Sequence, residues 1–401
     1  MTNNFSISLD LYTRRIQINL INKKYSDKPL KFTIRENNNV VYQETIQVSM
    51  EYSYYNFACV DYITYIKLFF EIFDGEEIIH QESMSFKNSY GGLIKIPSIY
   101  IENDLGLGDI MAITPIMRKL HNIYDQRVTL IVPPFTKGHF YEFMINNPDK
   151  NMIIKHNDYS DPDNRYDVFH VFTRNWNSYY YSDLRQLCAH SCGMTLKENE
   201  LDLVYVTSQY DEIENLPEHY VVINPAIRPI DRNWEKEQWQ ELVDKLNSLG
   251  IYVVSIGRDL GEEVKTYYNL DIKLGLDLCG KECQNSISQT WHIINKSDAF
   301  IGFDTGIYIL AGSTDTHIIL MGWYGDPFYH QPYRKGNRNY KFSHVRGDCD
   351  IFCLTDPKYD IAEHGTATMR HPVLKCVLNI NHRCKPTPQM VFKETVKALF
   401  N

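Results

Sequence analysis

The stretch Asn103-Asp104-Leu105-Gly106-Leu107-Gly108-Asp109-Ile110 holds the first residues with chemistry in them. Gly106 and Gly108 make a tight turn between an apolar run and a helical pattern. Backbone N–H groups and a helix dipole meet an anion at such turns. A carboxylate at Asp109 would repel a phosphate there. It suits a general base that takes a proton from a hydroxyl, its charge steadied by the helix N-terminus. The plain alternative is an N-cap, a common role for Asp. The third glycine of the dinucleotide fingerprint would fall at Met111 and is absent, which counts against a nicotinamide oxidoreductase.

A second stretch runs from Asn224-Pro225 to Arg232-Asn233-Trp234. Arg228 and Arg232 follow a strand pattern, at the end where open α/β sheets bind ligands. Two guanidinium groups can fork onto a diphosphate and neutralise its charge as it departs. Solvated loop charge is the alternative. The third stretch, Ile301-Gly302-Phe303-Asp304-Thr305-Gly306, also joins strand to helix. Thr305 and the N–H groups after it are placed to hold a phosphate, and Asp304 to accept from a sugar hydroxyl. A helix cap explains Thr305 equally well. Together these stretches suggest two βα units gripping a nucleotide-sugar in a shared cleft.

The cysteines divide. Cys188 and Cys192 lie on one helical pattern and read as buried thiols; Cys279 and Cys283 flank a turn and read as unpaired; Cys59 stands alone. Cys349, Cys353, Cys376 and Cys384 fall in an irregular polar tail. Four thiolates there are what one tetrahedral structural metal ion needs, although the spacing is not a compact double CxxC.

The elements that must position these groups follow from periodicity. Residues 1 to about 95 alternate polar and apolar, as in Arg15-Ile16-Gln17-Ile18-Asn19-Leu20, and predict about six antiparallel strands in a sandwich or barrel. Tyr52, Tyr54 and Tyr55 cluster in it. Ser98–Ile101, Val128–Val132 and Tyr166–Val171 read as buried strands, with helices over Asp109–Tyr124 and Ser182–Cys192. A second set has strands at 220–225, 251–257, 299–302 and 317–322, and helices at 237–249, 286–295 and 387–400. Strands alternating with helices imply parallel doubly wound sheets. The expected domains are 1–95, 96–215 and 216–401, with a linker around Asn215–Glu218.

With 401 residues, two or three domains are expected. Hydrophobic and charged fractions of 43% and 23% are those of an ordinary globular protein. A net charge of -9 gives no pull toward nucleic acid. There is no secretory pattern at the N-terminus and no run long enough to span a membrane, so a cytoplasmic protein is expected.

The run Leu107-Gly108-Asp109 to Thr114-Pro115-Ile116 resembles the opening motif of the ADP-heptose heptosyltransferases. Asn224-Pro225 through Trp234 is similar to that family's Asn-Pro segment, and Asp304-Thr305-Gly306 to its Asp-Thr-Gly. Cys376 and Cys384 before Pro388 and Val391 look like its late cysteine pair. The resemblance covers about residues 98 to 401. The β-rich start and tail cysteines further resemble the bacterial autotransporter heptosyltransferase branch. The resemblance implies an α/β fold of GT-B type: two facing Rossmann-like domains preceded by the small antiparallel β domain. It implies an inverting glycosyltransferase with an ADP-heptose donor and no catalytic metal. The acceptor would be a hydroxyl of a protein such as an autotransporter adhesin. It also implies iron in the tail, where the residues alone allow iron or zinc, and a homo-oligomer. Asp109 would be the base; Gly106, Gly108, Asn224, Arg228, Arg232, Asp304, Thr305 and Gly306 would bind the donor. A lipopolysaccharide or other glycan acceptor, or an inactive nucleotide-binding scaffold, are the rival readings. Two departures stand out: Ile309 where the family often has His, and a longer insert, Leu354 to Lys375, between the cysteine pairs.

Overall fold

The computed structural model describes residues 5–10, 15–21, 23–25, 28–36, 39–47, 53–55, 67–85, 96–101, 107–134, 136, 138–161, 165–171, 183–192, 194–207, 213, 215–225, 234–257, 267–280, 286–322, 331–348 and 385–400. Seven strands come first: β1 (Phe5–Asp10), β2 (Arg15–Leu20), β3 (Pro29–Glu36), β4 (Asn39–Gln47), β5 (Ser53–Tyr55), β6 (Lys67–Asp74) and β7 (Glu77–Ser85). They form two antiparallel sheets, ordered β1-β2-β5 and β4-β3-β6-β7. Period two does the sorting. Leu30, Phe32, Ile34, Phe70 and Ile72 are buried on one face of the larger sheet. The sheets touch where Phe5 packs on His80 and where the Ile7 N–H donates to Glu82 at 3.2 Å. Tyr54 and Tyr55 lie on β5, whereas Tyr52 lies outside the described residues.

The next set is β8 (Ile96–Ile101), α1 (Leu107–Tyr124), β9 (Val128–Val132), α2 (Gly138–Met144), β10 (Lys150–Lys155), β11 (Tyr166–Val171) and α3 (Leu184–Ser191). Its four strands are parallel, in the order β10-β9-β8-β11. The helix α1 carries Pro115 in its interior, which removes the N–H that would bond to the Met111 carbonyl. The Thr114 hydroxyl takes over that carbonyl at 2.8 Å. It also accepts the Val204 N–H at 3.0 Å, tying α1 to the segment that leaves this half. The Thr-Pro pair therefore joins a helix to the segment that leaves this half without orphaning a buried group.

The final set is β12 (Val221–Ile223), α4 (Lys236–Ser248), β13 (Val253–Gly257), β14 (Gly275–Cys279), α5 (Ile287–Lys296), β15 (Ala299–Gly302), α6 (Gly306–Ala311), β16 (His317–Met321), β17 (Phe342–Val345) and α7 (Pro388–Phe400). The six strands are parallel, in the order β14-β13-β12-β15-β16-β17. The expected helices and central strands are present to within a few residues. Four elements come in addition: α2, β10, β14 and β17. The three added strands are all at sheet edges. Edge strands are half covered and lack the continuous apolar run of their neighbours. At Gly275, φ is +135° and a Cβ would lie 1.8 Å from the Val253 carbonyl oxygen, so β14 starts where only glycine fits. Among the described residues, no helix is long and apolar enough to cross a membrane.

The two α/β halves share one apolar cluster. It runs from Ile110, Ile113 and Met117 of α1 to Tyr308, Leu310 and Ala311 of α6. They also meet beside the connecting segment. There Tyr205 stacks on Phe143 of α2 at 4.9 Å and leans on Trp291 of α5 at 6.1 Å.

Candidate active site

The carboxyl ends of β12 and β15 lie side by side because these strands pair in register. They carry Asn224 and Phe303-Asp304-Thr305. Asn224 is buried; its amide donates to the Ile256 carbonyl at 2.8 Å and so ties β12 to β13. Its Oδ1 lies 3.5 Å from the Thr305 hydroxyl, which is placed to donate. Thr305 is the N-cap of α6 and accepts the Tyr308 N–H at 3.4 Å. The cap role proposed as the alternative for Thr305 is thus present. Asp304 is only 5% exposed. Below it, burial pushes the Tyr308 hydroxyl well above its usual range, and the Asp304 charge adds to this.

Two sequence stretches meet in the core here. Trp234 and Trp239 lie edge to face at 5.0 Å, and each lies 6.2 Å from the Phe303 ring. The Trp234 indole donates to the Pro386 carbonyl at 2.9 Å. The aromatic cluster therefore clamps the residue that closes the Asn224–Trp234 stretch against the residue before Asp304. Arg228 and Arg232 lie outside the described residues, between the positioned ends Pro225 and Trp234.

Asp109 is the third residue of α1, inside its first turn and not at its cap, and is 8% exposed. A carboxylate in the first turn of this 18-residue helix is stabilised by the aligned peptide dipoles. Next to it, Gly108 faces the other half: a Cβ there would sit 3.2 Å from Cγ1 of Ile309. Hence the first turn of α1 packs closely against α6. Ile309, the departure from the expected His, is the side chain that makes this contact. Gly106 lies outside the described residues; Gly306 is the first residue of α6. With six residues, α6 sums few dipoles, so its N-terminus by itself would neutralise little anionic charge.

Behind Asp109, Cys188 of α3 is fully buried. Burial first, and then the Asp109 charge, push its thiol well above the usual range, which makes it inert. Cys188 and Cys192 are buried thiols, as expected, and Cys279, expected outside any disulfide, is a buried thiol too. Cys59, Cys283 and the four tail cysteines, Cys349, Cys353, Cys376 and Cys384, lie outside the described residues. Among the described residues no group of three or more His, Cys, Asp or Glu is placed to hold a metal ion.

One cluster was not visible in the sequence. Asp183, Arg185 and Arg338 come together although Arg338 belongs to the other half. No motif marks them, since each looks like an isolated surface charge. A groove lined by Leu216, His219, Tyr252, His317, Lys341 and Phe400 lies at the opposite, amino-terminal edge of the six-stranded sheet. Open α/β sheets bind ligands at the other edge, where Asn224 and Asp304 are.

Residues 173–344 are similar to the family described as glycosyltransferase family 9 (heptosyltransferase). That segment includes Asn224, Arg228, Arg232 and Asp304–Gly306, and leaves out Asp109. In fold the chain is similar to the bacterial iron-containing dodecameric glycosyltransferase TibC from enterotoxigenic E. coli H10407, with TM-score 0.56 and 14% identity over 99% of this chain and 96% of that one. The heptosyltransferase TibC in complex with ADP-D-beta-D-heptose gives TM-score 0.54, 14% identity and the same coverage. At this identity the likeness shows the α/β fold with parallel sheets. A comparison with curated proteins found no match.

Proposed function

We propose that the chain is an inverting glycosyltransferase of GT-B type that moves heptose from ADP-heptose to a hydroxyl of a protein acceptor such as an autotransporter adhesin. The observation that carries this reading is the close approach of α1 and α6. It brings the first turn of α1, which carries Asp109, against the helix that Thr305 caps and Asp304 precedes. The acceptor hydroxyl gives its proton to Asp109 and its oxygen attacks the anomeric carbon. The bond from that carbon to the diphosphate oxygen breaks, and the nucleoside diphosphate leaves. Arg228 and Arg232 neutralise the charge that develops on it, and Asp304 accepts from a sugar hydroxyl. Closing the gap excludes water, which would otherwise hydrolyse the donor.

TibC is described as iron-containing and dodecameric, and as bound to ADP-D-beta-D-heptose. For this chain we assign an iron or zinc ion to Cys349, Cys353, Cys376 and Cys384, in a structural role, and a homo-oligomeric state. The reaction is tested by incubating purified protein with ADP-heptose or UDP-hexoses and a panel of protein and glycan acceptors, read by mass spectrometry. Mass added to a protein acceptor, and lost with Asp109→Asn, is the expected result. Mass added only to lipopolysaccharide or another glycan transfers the assignment to that acceptor class. Donor binding with no transfer to any acceptor overturns the enzyme in favour of a binding scaffold.

A further inference from the structure

A buried ionic cluster joins the two α/β halves, beside the segment that connects them. Asp183 stands just before α3 and is 5% exposed; Arg185 is 4% exposed. The Arg185 guanidinium grips Asp183 with two prongs, one of them at 2.7 Å to Oδ1. From the other half, Arg338 reaches Asp183 Oδ2 at 2.9 Å. Arg185 answers in the opposite direction, donating to the Gln331 carbonyl at 2.9 Å. Burial works to raise the Asp183 carboxyl, but the two guanidinium groups outweigh it and hold it below the usual range.

The segment that carries Gln331 and Arg338 is itself riveted to the six-stranded sheet. Arg334 is buried and donates to the Thr314 and Thr316 carbonyls at 2.8 Å, just ahead of β16. It also donates to the Tyr340 and Lys341 carbonyls, just ahead of β17. Gln331 closes the segment on itself by donating to the Arg338 carbonyl at 2.6 Å. One arginine thus fastens this segment to its own half, and another fastens it to the first half. A dangling surface loop needs neither.

The cluster also stands next to the elements of the candidate site: directly after Asp183, Leu184, Cys188 and Ala189 of α3 share an apolar cluster with Ile110 and Ile113 of α1 and Tyr308 of α6. We propose that residues 331–338 form a strap between the halves, and that Asp183, its fastening on the first half, is a positioning residue that sets the gap between Asp109 and Asp304. This rests on the transferase reading above, and it adds the device that holds the two groups at working distance. A buried bidentate ion pair suits the task because its geometry is narrow and its loss leaves charges unpaired.

The test uses Arg338→Gln in the full chain. This change removes the Arg338–Asp183 bond across the halves and leaves the Asp183–Arg185 pair and the Arg185–Gln331 bond intact. Fluorophores placed at the exposed positions Met152 and Ser248, one on each half, report the distance between halves by energy transfer. A shifted or broadened distance is expected, with Arg338→Lys restoring most of it. Transfer kinetics are read in parallel. We expect kcat to fall roughly 100-fold, the scale of a misplacement of about 1 Å, with the donor KM changed little. An unchanged distance would overturn the strap. A changed distance with normal kcat would overturn the positioning role. If the unmutated protein transfers no sugar at all, the transferase reading fails, and the distance measurement still decides the strap.

Discussion

The approach of α1 to α6 underlies the whole site, so the contact between Gly108 and Ile309 is the place to perturb it. In Gly108→Ala the new Cβ meets Ile309 Cγ1 at 3.2 Å, tighter than relaxed packing allows. Overpacking of this kind costs about 1–3 kcal/mol. Replacing a helical glycine returns about 0.5–1 kcal/mol. The net effect is a loss of roughly 1 kcal/mol. Ile309→Ala, at a buried site, costs about 2–4 kcal/mol through lost burial and the cavity it leaves. In the double variant the added methyl enters the vacated space, so the two losses do not add. The coupling should be on the order of 1–2 kcal/mol. Across the α/β portion that corresponds to a discrepancy of roughly 2–4 °C from the summed midpoint shifts. Thermal denaturation of the four proteins, followed by near-UV circular dichroism, measures it. Additive shifts, within about 0.5 kcal/mol of their sum, would refute the contact. With it would fall the claim that Asp109 and Asp304 face a common gap.

Four further outcomes are expected. Asp109→Asn keeps the fold and donor binding but abolishes transfer; near-normal turnover in a coupled nucleotide-release assay would remove Asp109 from the mechanism. Trp234→Ala, which opens the cluster with Trp239 and Phe303, should cost about 3–5 kcal/mol and weaken donor affinity, as measured by chemical denaturation and calorimetric titration. Burial first, and then Arg346, hold His344 down to about 4. Its folded pKa is below its unfolded value of about 6.5, so stability is full above pH 6.5 and is lost as pH falls toward 4, by up to about 3 kcal/mol. His344→Gln should flatten that part of the profile, and an unchanged profile would assign it to other groups. Elemental analysis should find about one iron or zinc per chain, lost when two of the four tail cysteines become serine; metal-free protein of normal stability would end that assignment.

The sequence carried the alternation of strands and helices, because central parallel strands are apolar on both faces and amphipathic helices repeat every three to four residues. Val128–Val132 and His317–Met321 could be read at sight for that reason. It also marked the strand-to-helix turn at Asp304-Thr305, since capping residues have local causes; Gly108 and Asp109, read as part of such a turn, lie inside the first turn of α1. The edge strands β10, β14 and β17 were not legible, because their short runs mix polar and apolar residues, whereas β11, also at an edge, was read from the pattern of Tyr166–Val171. Two things came only with the tertiary structure. One is the placing of Gly108 on Ile309, which brings together residues two hundred positions apart. The other is the joining of Asp183, Arg185 and Arg338 into one buried cluster. A charged residue looks the same in sequence whether it faces water or another charge. Only the packing of one half on the other removes the water and makes the pair matter.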